Sequence, residues 1–172
     1  MKSILCIIFI INLAYAVKLP EFGKNFTARY KQIKTLKKMD GLKLESSGTL
    51  DVRNAKKLSL NQLEPFKSST VISNGQVKTT IKGKTSTDRN KSSTVVNNIL
   101  LALIKADEKE LKKYFVINEK DSKLLLTPKD KEMKKVIKTV ELSFRQNESQ
   151  ILVKEVSQNE ILFTITNYKK QK

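Results

Sequence analysis

Apolar residues recur along this chain with two periods, and the change between them divides it. An unbroken apolar run, ILCIIFIINL, fills residues 4–13. After Pro20, Phe22, Phe26, Tyr30 and Ile33 follow at steps of four, four and three, which predicts an amphipathic helix opening there. Its far end stays open, because from about Ala28 the segment fits a strand equally well. Beyond it the period drops to two. KLESSGTLDV and KKLSLNQL form a hairpin carrying Leu50, Val52, Leu58 and Leu60, joined by the basic knot Arg53-Asn54-Ala55-Lys56-Lys57. STVIS, with Val71, follows, and QVKTTIK sets Val77, Thr79 and Ile81 on one face. Asn74-Gly75 between those two segments is a hairpin turn signal. Residues 82–91, KGKTSTDRNK, hold no apolar side chain and predict an exposed loop.

Next comes the one strong internal helix, SSTVVNNILLALIKADEKELKKY. Val95, Ile99 and Leu103 make one apolar row and Val96, Leu100 and Ile104 another, while Leu101 and Ala102 close most of the circle. Asp107 restarts a second, polar turn ending near Lys113. Strand periodicity then returns. YFVINE and SKLLLTP flank a turn at 119–122, and Val140, Leu142 and Phe144 alternate in VIKTVELSFRQ. QILVKEV and EILFTITNY, carrying Ile161, Phe163 and Ile165, meet through residues 157–159. The sum is an α+β protein: one large, strongly curved antiparallel sheet of about nine to eleven strands with helices on a single face.

Composition narrows the chemistry. The apolar run at 4–13 follows Lys2 and precedes the small residues of AYA, the pattern of a secretory leader over residues 1–16, and falls short of the ~20 residues that span a bilayer as a helix. Residues 17–172 then form a single domain. Cys6, the single cysteine, lies inside that run, so a chain starting at Val17 has no thiol and no disulfide. There is no histidine and no tryptophan. Without histidine or a mature cysteine, the usual general base and the usual zinc ligands are missing. Carboxylates remain (Glu108, Glu110, Asp121, Asp130), each beside lysines where solvated ion pairs are the ordinary role. No catalytic residue, metal or cofactor is expected.

The net charge of +17 is carried mostly by lysine. Such a field favours anionic partners, including lipid head groups. It equally describes lysines that keep strand edges from pairing with other chains. The lysines are spread singly along the strands and aromatic residues are scarce, which argues against nucleic acid. The informative anomaly is the helix around Ile99 and Leu103: apolar nearly all round, it needs apolar cover on both sides. The sheet supplies one side; a further helix, or an apolar ligand, supplies the other. A groove taking about ten methylenes would gain roughly 8 kcal/mol before costs. An ordinary solid core satisfies the same pattern.

The order of features resembles the LolA-like family of periplasmic lipoprotein carriers, in a divergent branch. Phe26, Tyr30 and Gln32 stand in that family's Phe-x-x-x-aromatic-x-Gln stretch. Gly48, Leu50, Leu58, Leu60, Pro65, Phe66 and Asn74-Gly75 follow in its strand–turn–strand order, and Leu126-Thr127-Pro128 matches its Leu-Thr-Pro strand end. The resemblance implies an incomplete antiparallel barrel with helices as a lid over an apolar cavity. It further implies a periplasmic monomer of a Gram-negative cell that takes acyl chains of a lipoprotein or lipid from an inner-membrane exporter to an outer-membrane acceptor. The cavity lining it implies is Leu50, Val52, Leu58, Leu60, Val71, Val77, Ile99, Leu103, Val140, Leu142, Phe144, Ile161 and Phe163. Where main-branch carriers hold the lid with an arginine before proline, this chain has Asn54-Ala55, with Arg53 one residue off; Arg53 and Asn54 are therefore the latch candidates. The alternative is a secreted, non-catalytic scaffold domain with a solid core.

Overall fold

The computed structural model describes residues 24–54, 56–74, 76–88, 91–145 and 147–171, and only the backbone of residues 91–97. The expected leader, the helix start at Phe22, Gly75 of the turn, and the Val95 and Val96 side chains lie outside that description. Six strands come first: β1 (Phe26–Leu36), β2 (Leu42–Arg53), β3 (Lys57–Glu64), β4 (Ser68–Ser73), β5 (Gln76–Ile81) and β6 (Lys84–Asp88). Helices α1 (Lys91–Lys105) and α2 (Glu108–Tyr114) follow. The chain then returns as β7 (Phe115–Lys120), β8 (Lys123–Pro128), helix α3 (Lys131–Val136), β9 (Ile137–Arg145), β10 (Glu148–Glu155) and β11 (Glu160–Lys170). All the strands join one 11-stranded sheet in the order β6-β5-β4-β3-β2-β1-β11-β10-β9-β8-β7. Every pairing is antiparallel, and the sheet does not close.

The topology has one long-range seam. β1, the first strand, pairs with β2 on one side and with β11, the last, on the other. At the seam the Gln171 amide donates to the Asn25 carbonyl at 3.1 Å. Antiparallel pairing also sorts the connections to two ends of the sheet. The β1–β2, β3–β4, β5–β6 and β10–β11 turns and α3 lie at the distal end. The β2–β3, β4–β5, β7–β8 and β9–β10 turns lie at the proximal end, where the described chain enters at Lys24.

Two sequence expectations are corrected. Phe26 to Ile33 is strand throughout, so the helical reading fails at Phe26 and the strand alternative from Ala28 is the one observed: Phe26, Ala28 and Tyr30 are buried while the residues between them are not. A step of four fits a helix and a strand alike, and the small Ala28 midway leaves the step of two unmarked in the sequence. Ile33, which completed the helical stripe, falls on the opposite face, paired with Leu162 and Glu45. The polar stretch after Ile81 is not a loop: Lys84–Asp88 is an edge strand, paired with β5 and exposed throughout. An edge strand with no apolar face leaves no alternation to read.

Helix ends follow local chemistry. The Asp107 side chain accepts from the Glu110 amide at 3.1 Å and starts α2. Asp130 accepts from the Glu132 and Met133 amides at 2.9 and 3.0 Å and starts α3, a helix the sequence pattern did not indicate. Asp121 sits in the β7–β8 turn at φ 51. Glu108 and Glu110 pair with Lys112 and Lys113 at 2.6 and 2.5 Å. All four candidate carboxylates thus have structural partners or turn roles, Glu108 and Glu110 on α2 and Asp121 and Asp130 elsewhere.

Two details tie side-chain chemistry to the fold. Gly48 lies at a register shift between β2 and β3, and a methyl there would run into the Asn61 carbonyl. Asn167, left-handed at φ 56, precedes Tyr168, whose ring packs 5.9 Å from Phe26. Burial pushes the Tyr168 phenol up to about 12.

Two outcomes follow for stability. Gly48→Ala should destabilise the protein by about 2 kcal/mol or more in urea unfolding, because a backbone carbonyl, not a flexible side chain, must give way. For Tyr168 the fold favours the protonated form. Its contribution is complete below the unfolded tyrosine value near 10 and fades as pH rises towards about 12. Melting temperature should therefore fall over that window, and Tyr168→Phe should show a shallower fall, with lysine titration common to both proteins.

Candidate functional site

Register across the sheet decides which side chains meet. On one face, Val52 opposes Phe26 on one side and Leu58 on the other, Leu58 opposes Ile72, and Ile72 opposes Val77. Leu50 stands likewise between Ala28 and Leu60. Across the seam, Phe163 opposes Ile151, Ile151 opposes Leu142, and Leu142 opposes Leu124. Val153, Val140 and Leu126 form the parallel row from Ile161. These rows make a continuous apolar face at which Tyr30 stacks on Phe163, ring centroids 5.0 Å apart. Burial raises the Tyr30 phenol above its ordinary value, in keeping with a ring held in apolar surroundings.

The helices complete the same cluster. Ile99, the four consecutive residues Leu101 to Ile104, and Leu111 of α2 are buried with the sheet residues. Four buried neighbours in a row cover the whole circumference of a helix, since successive residues turn by about 100°. The nearly all-round apolar reading of α1 thus corresponds to a segment, Leu101 to Ile104, enveloped on every side, with Asn98 exposed just before it.

Most of the expected lining residues come together. Leu50, Val52, Leu58, Ile99, Leu103, Val140, Leu142 and Phe163 belong to the cluster, with Leu60, Val77 and Phe144 packed against it. Val71 does not: it opposes Ser59, one step out of phase with the Leu58–Ile72 row, and so lies on the other face. Ile161 shares the face of Phe163 but stands half-buried at its distal end. Leu50, Val52, Leu58 and Leu142 on the sheet face are 0% exposed. A recess of about 350 Å³ opens at the proximal edge of this core. Ile72, Leu101 and Ala102 form its floor, and Lys56, Asn74, Asn98, Lys105, Asp107 and Glu110 stand around it.

The latch candidates are both occupied within the turn. Arg53 clamps Asp51 with Nε–Oδ1 and Nη2–Oδ2 distances of 2.8 and 3.1 Å. Asn54 takes the left-handed conformation (φ 50) that closes the hairpin, and its amide donates to Asn25 Oδ1 at 2.8 Å. Among the described residues, no hydrogen bond or ion pair joins either to α1 or α2. Lys56, which sequence alternation did not single out, is the basic residue of this turn that borders the recess beside Asp107 and Glu110. A turn lysine has no periodic signal, so only the folded geometry finds it.

Comparison with known proteins gives two kinds of result. Residues 23–172 match the family model described as outer membrane lipoprotein carrier protein LolA. Among curated proteins none matches the chain. Of solved structures, a LolA superfamily protein from Nitrosomonas europaea aligns with a TM-score of 0.52 at 11% identity, over 91% of this chain and 89% of that one. The ywiB protein from Bacillus subtilis aligns over 87% and 93% at 14% identity, with a TM-score of only 0.24. The family match covers nearly the whole described sheet and its helices, and the chain belongs to the LolA family.

Proposed function

We propose that the protein is a periplasmic carrier that shields the acyl chains of a lipoprotein or lipid and moves them from an inner-membrane exporter to an outer-membrane acceptor. Residues 1–16 would be its export leader. The observation that carries this reading is the enveloped helix: in a LolA-family sheet, α1 is buried from Leu101 to Ile104 against a continuous apolar face. α1 packs on β5 and α2 on β7, strands nine places apart in the sheet order. Laid flat, such strands would be separated by some 40 Å at about 4.8 Å per strand, against about 20 Å for two helices side by side. Those contacts favour a sheet curled round the helices, with the helices as a lid on its concave face.

The chemistry of transfer then rests on exchange. An acyl chain entering the sheet face takes the place of α1 side chains against the same residues, Leu50, Val52, Leu58, Val140, Leu142 and Phe163. Apolar burial by the lid is lost as apolar burial by the ligand is gained, so the net preference is small and the cargo can leave again. The proximal recess, floored by the core residues Ile72, Leu101 and Ala102, is the natural entry. No charged anchor is needed, and enzymatic chemistry has no place in the reading.

The complete burial of Leu50, Val52, Leu58 and Leu142 favours the rival reading, a secreted scaffold domain whose helices never lift. Native mass spectrometry of protein purified from its own host separates the two. A carrier leaves with acyl-bearing adducts and takes up a triacylated peptide in vitro, whereas absence of both would leave only the scaffold. Leu103→Ala should cost about 3 kcal/mol of stability under either reading. Only a working lid would also take up the acylated peptide faster. Arg53→Ala removes an exposed ion pair and should change stability by about 0.5 kcal/mol or less, with acyl release unchanged. Faster release in that variant would make Arg53 the latch after all.

A further inference from the structure

Nine large apolar side chains stand exposed among the described residues, and all of them lie toward one end of the sheet. Met39, Leu42 and Leu44 occupy the β1–β2 hairpin tip, at 58%, 46% and 50% exposure. Leu63 and Phe66 flank the neighbouring β3–β4 turn, and Ile81 ends β5 beside them. Farther along the same end, Val136 closes α3 and accepts from the Val156 amide at 2.9 Å, so these two exposed residues meet. Val116, one residue into β7, is the last. The proximal end has none of the nine, although it too is basic, with Arg53, Lys56, Lys57 and Lys170.

Lysines interleave the distal apolar residues. Lys37, Lys38 and Lys43 surround the hairpin tip, Lys67 follows Phe66, and Lys82 and Lys84 follow Ile81. Lys134, Lys135 and Lys138 flank Val136. The apolar residues come in small groups spread over several turns and strand ends across the width of the sheet. A rigid protein partner needs contiguous, complementary area. A fluid bilayer interface accepts many separated tips at once, with apolar side chains below the head groups and lysines on anionic lipid.

From this polarity we infer that the distal end is a docking surface for an anionic lipid bilayer. The inference is independent of the carrier reading, since a scaffold domain could dock in the same way and a carrier could work without it. Docking by this end leaves the proximal recess and the seam facing away from the membrane.

The natural protein has no tryptophan, so a single introduced one reports on its own position. Leu42→Trp and, as the control at the other end, Lys57→Trp are each mixed with vesicles of equal parts phosphatidylglycerol and phosphatidylcholine. The expected result is a blue shift and quenching by brominated lipid for Leu42→Trp, with Lys57→Trp unmoved. Replacing Met39, Leu42 and Leu44 together by serine should reduce vesicle flotation about tenfold or more, with the melting temperature retained because all three are exposed. High salt should weaken that binding in both proteins. No shift at either position, or equal shifts at both, overturns the inference, the second because charge alone would then hold the protein. A concentration-dependent shift of Leu42→Trp without vesicles also overturns it, assigning the surface to a second copy of the chain.

Discussion

The structure turns on the burial of one helix. From Leu101 to Ile104, α1 carries buried apolar side chains round its circumference, and water drives such a segment inside something. The eleven strands supply that interior by presenting one continuous apolar face, to which β4, β3, β2, β1, β11, β10, β9, β8 and β7 each contribute buried side chains. Short strands and polar turns suffice elsewhere, because the hydrophobic contacts that hold the molecule together converge on this helix and its neighbour α2. Whatever lifts α1 must replace that contact with something equally apolar.

Electrostatics plays a different part. The ion pairs lie at exposed or half-exposed positions, such as Lys31–Glu45 at 2.7 Å and Lys154–Glu141 at 2.5 Å, where each contributes little to stability. Inside, Ser149 is the one buried polar residue among the described positions. A core without buried charge sets no fixed polar geometry that an incoming group would have to match, so its contacts depend on shape and volume alone. The lysine excess works outside, on solubility and on what approaches the surface.

Much of this was legible in the chain itself. Alternation located the β2–β3 hairpin, β7 to β11 and the all-apolar helix, because a residue buried on one side leaves a period that the sequence must obey. The failures have physical causes. Phe26 and Tyr30 are four apart, a spacing that suits a helix turn and two strand steps alike, and only pairing to β2 and β11 decides between them. β6 is bare of apolar residues because an edge strand buries neither face. Val71 and Ile72 are both hydrophobic, and pairing to β3 alone shows that Ile72 is the one in phase with Leu58. The Arg53 turn could not be resolved from spacing, since a left-handed residue at Asn54 redirects the chain in a way that periodicity does not encode.

The seam between β1 and β11 has a consequence in time. The two strands that hold the middle of the sheet come from opposite ends of the chain, so β1 gains its second neighbour only when the last strand arrives. Contacts this distant in sequence form late and slowly. A chain emerging N-terminus first can assemble β1 to β6 as a meander, yet it lacks the strands that complete the face around α1 until β7 to β11 are free. The face around α1 is therefore completed only once β11 is free to pair with β1.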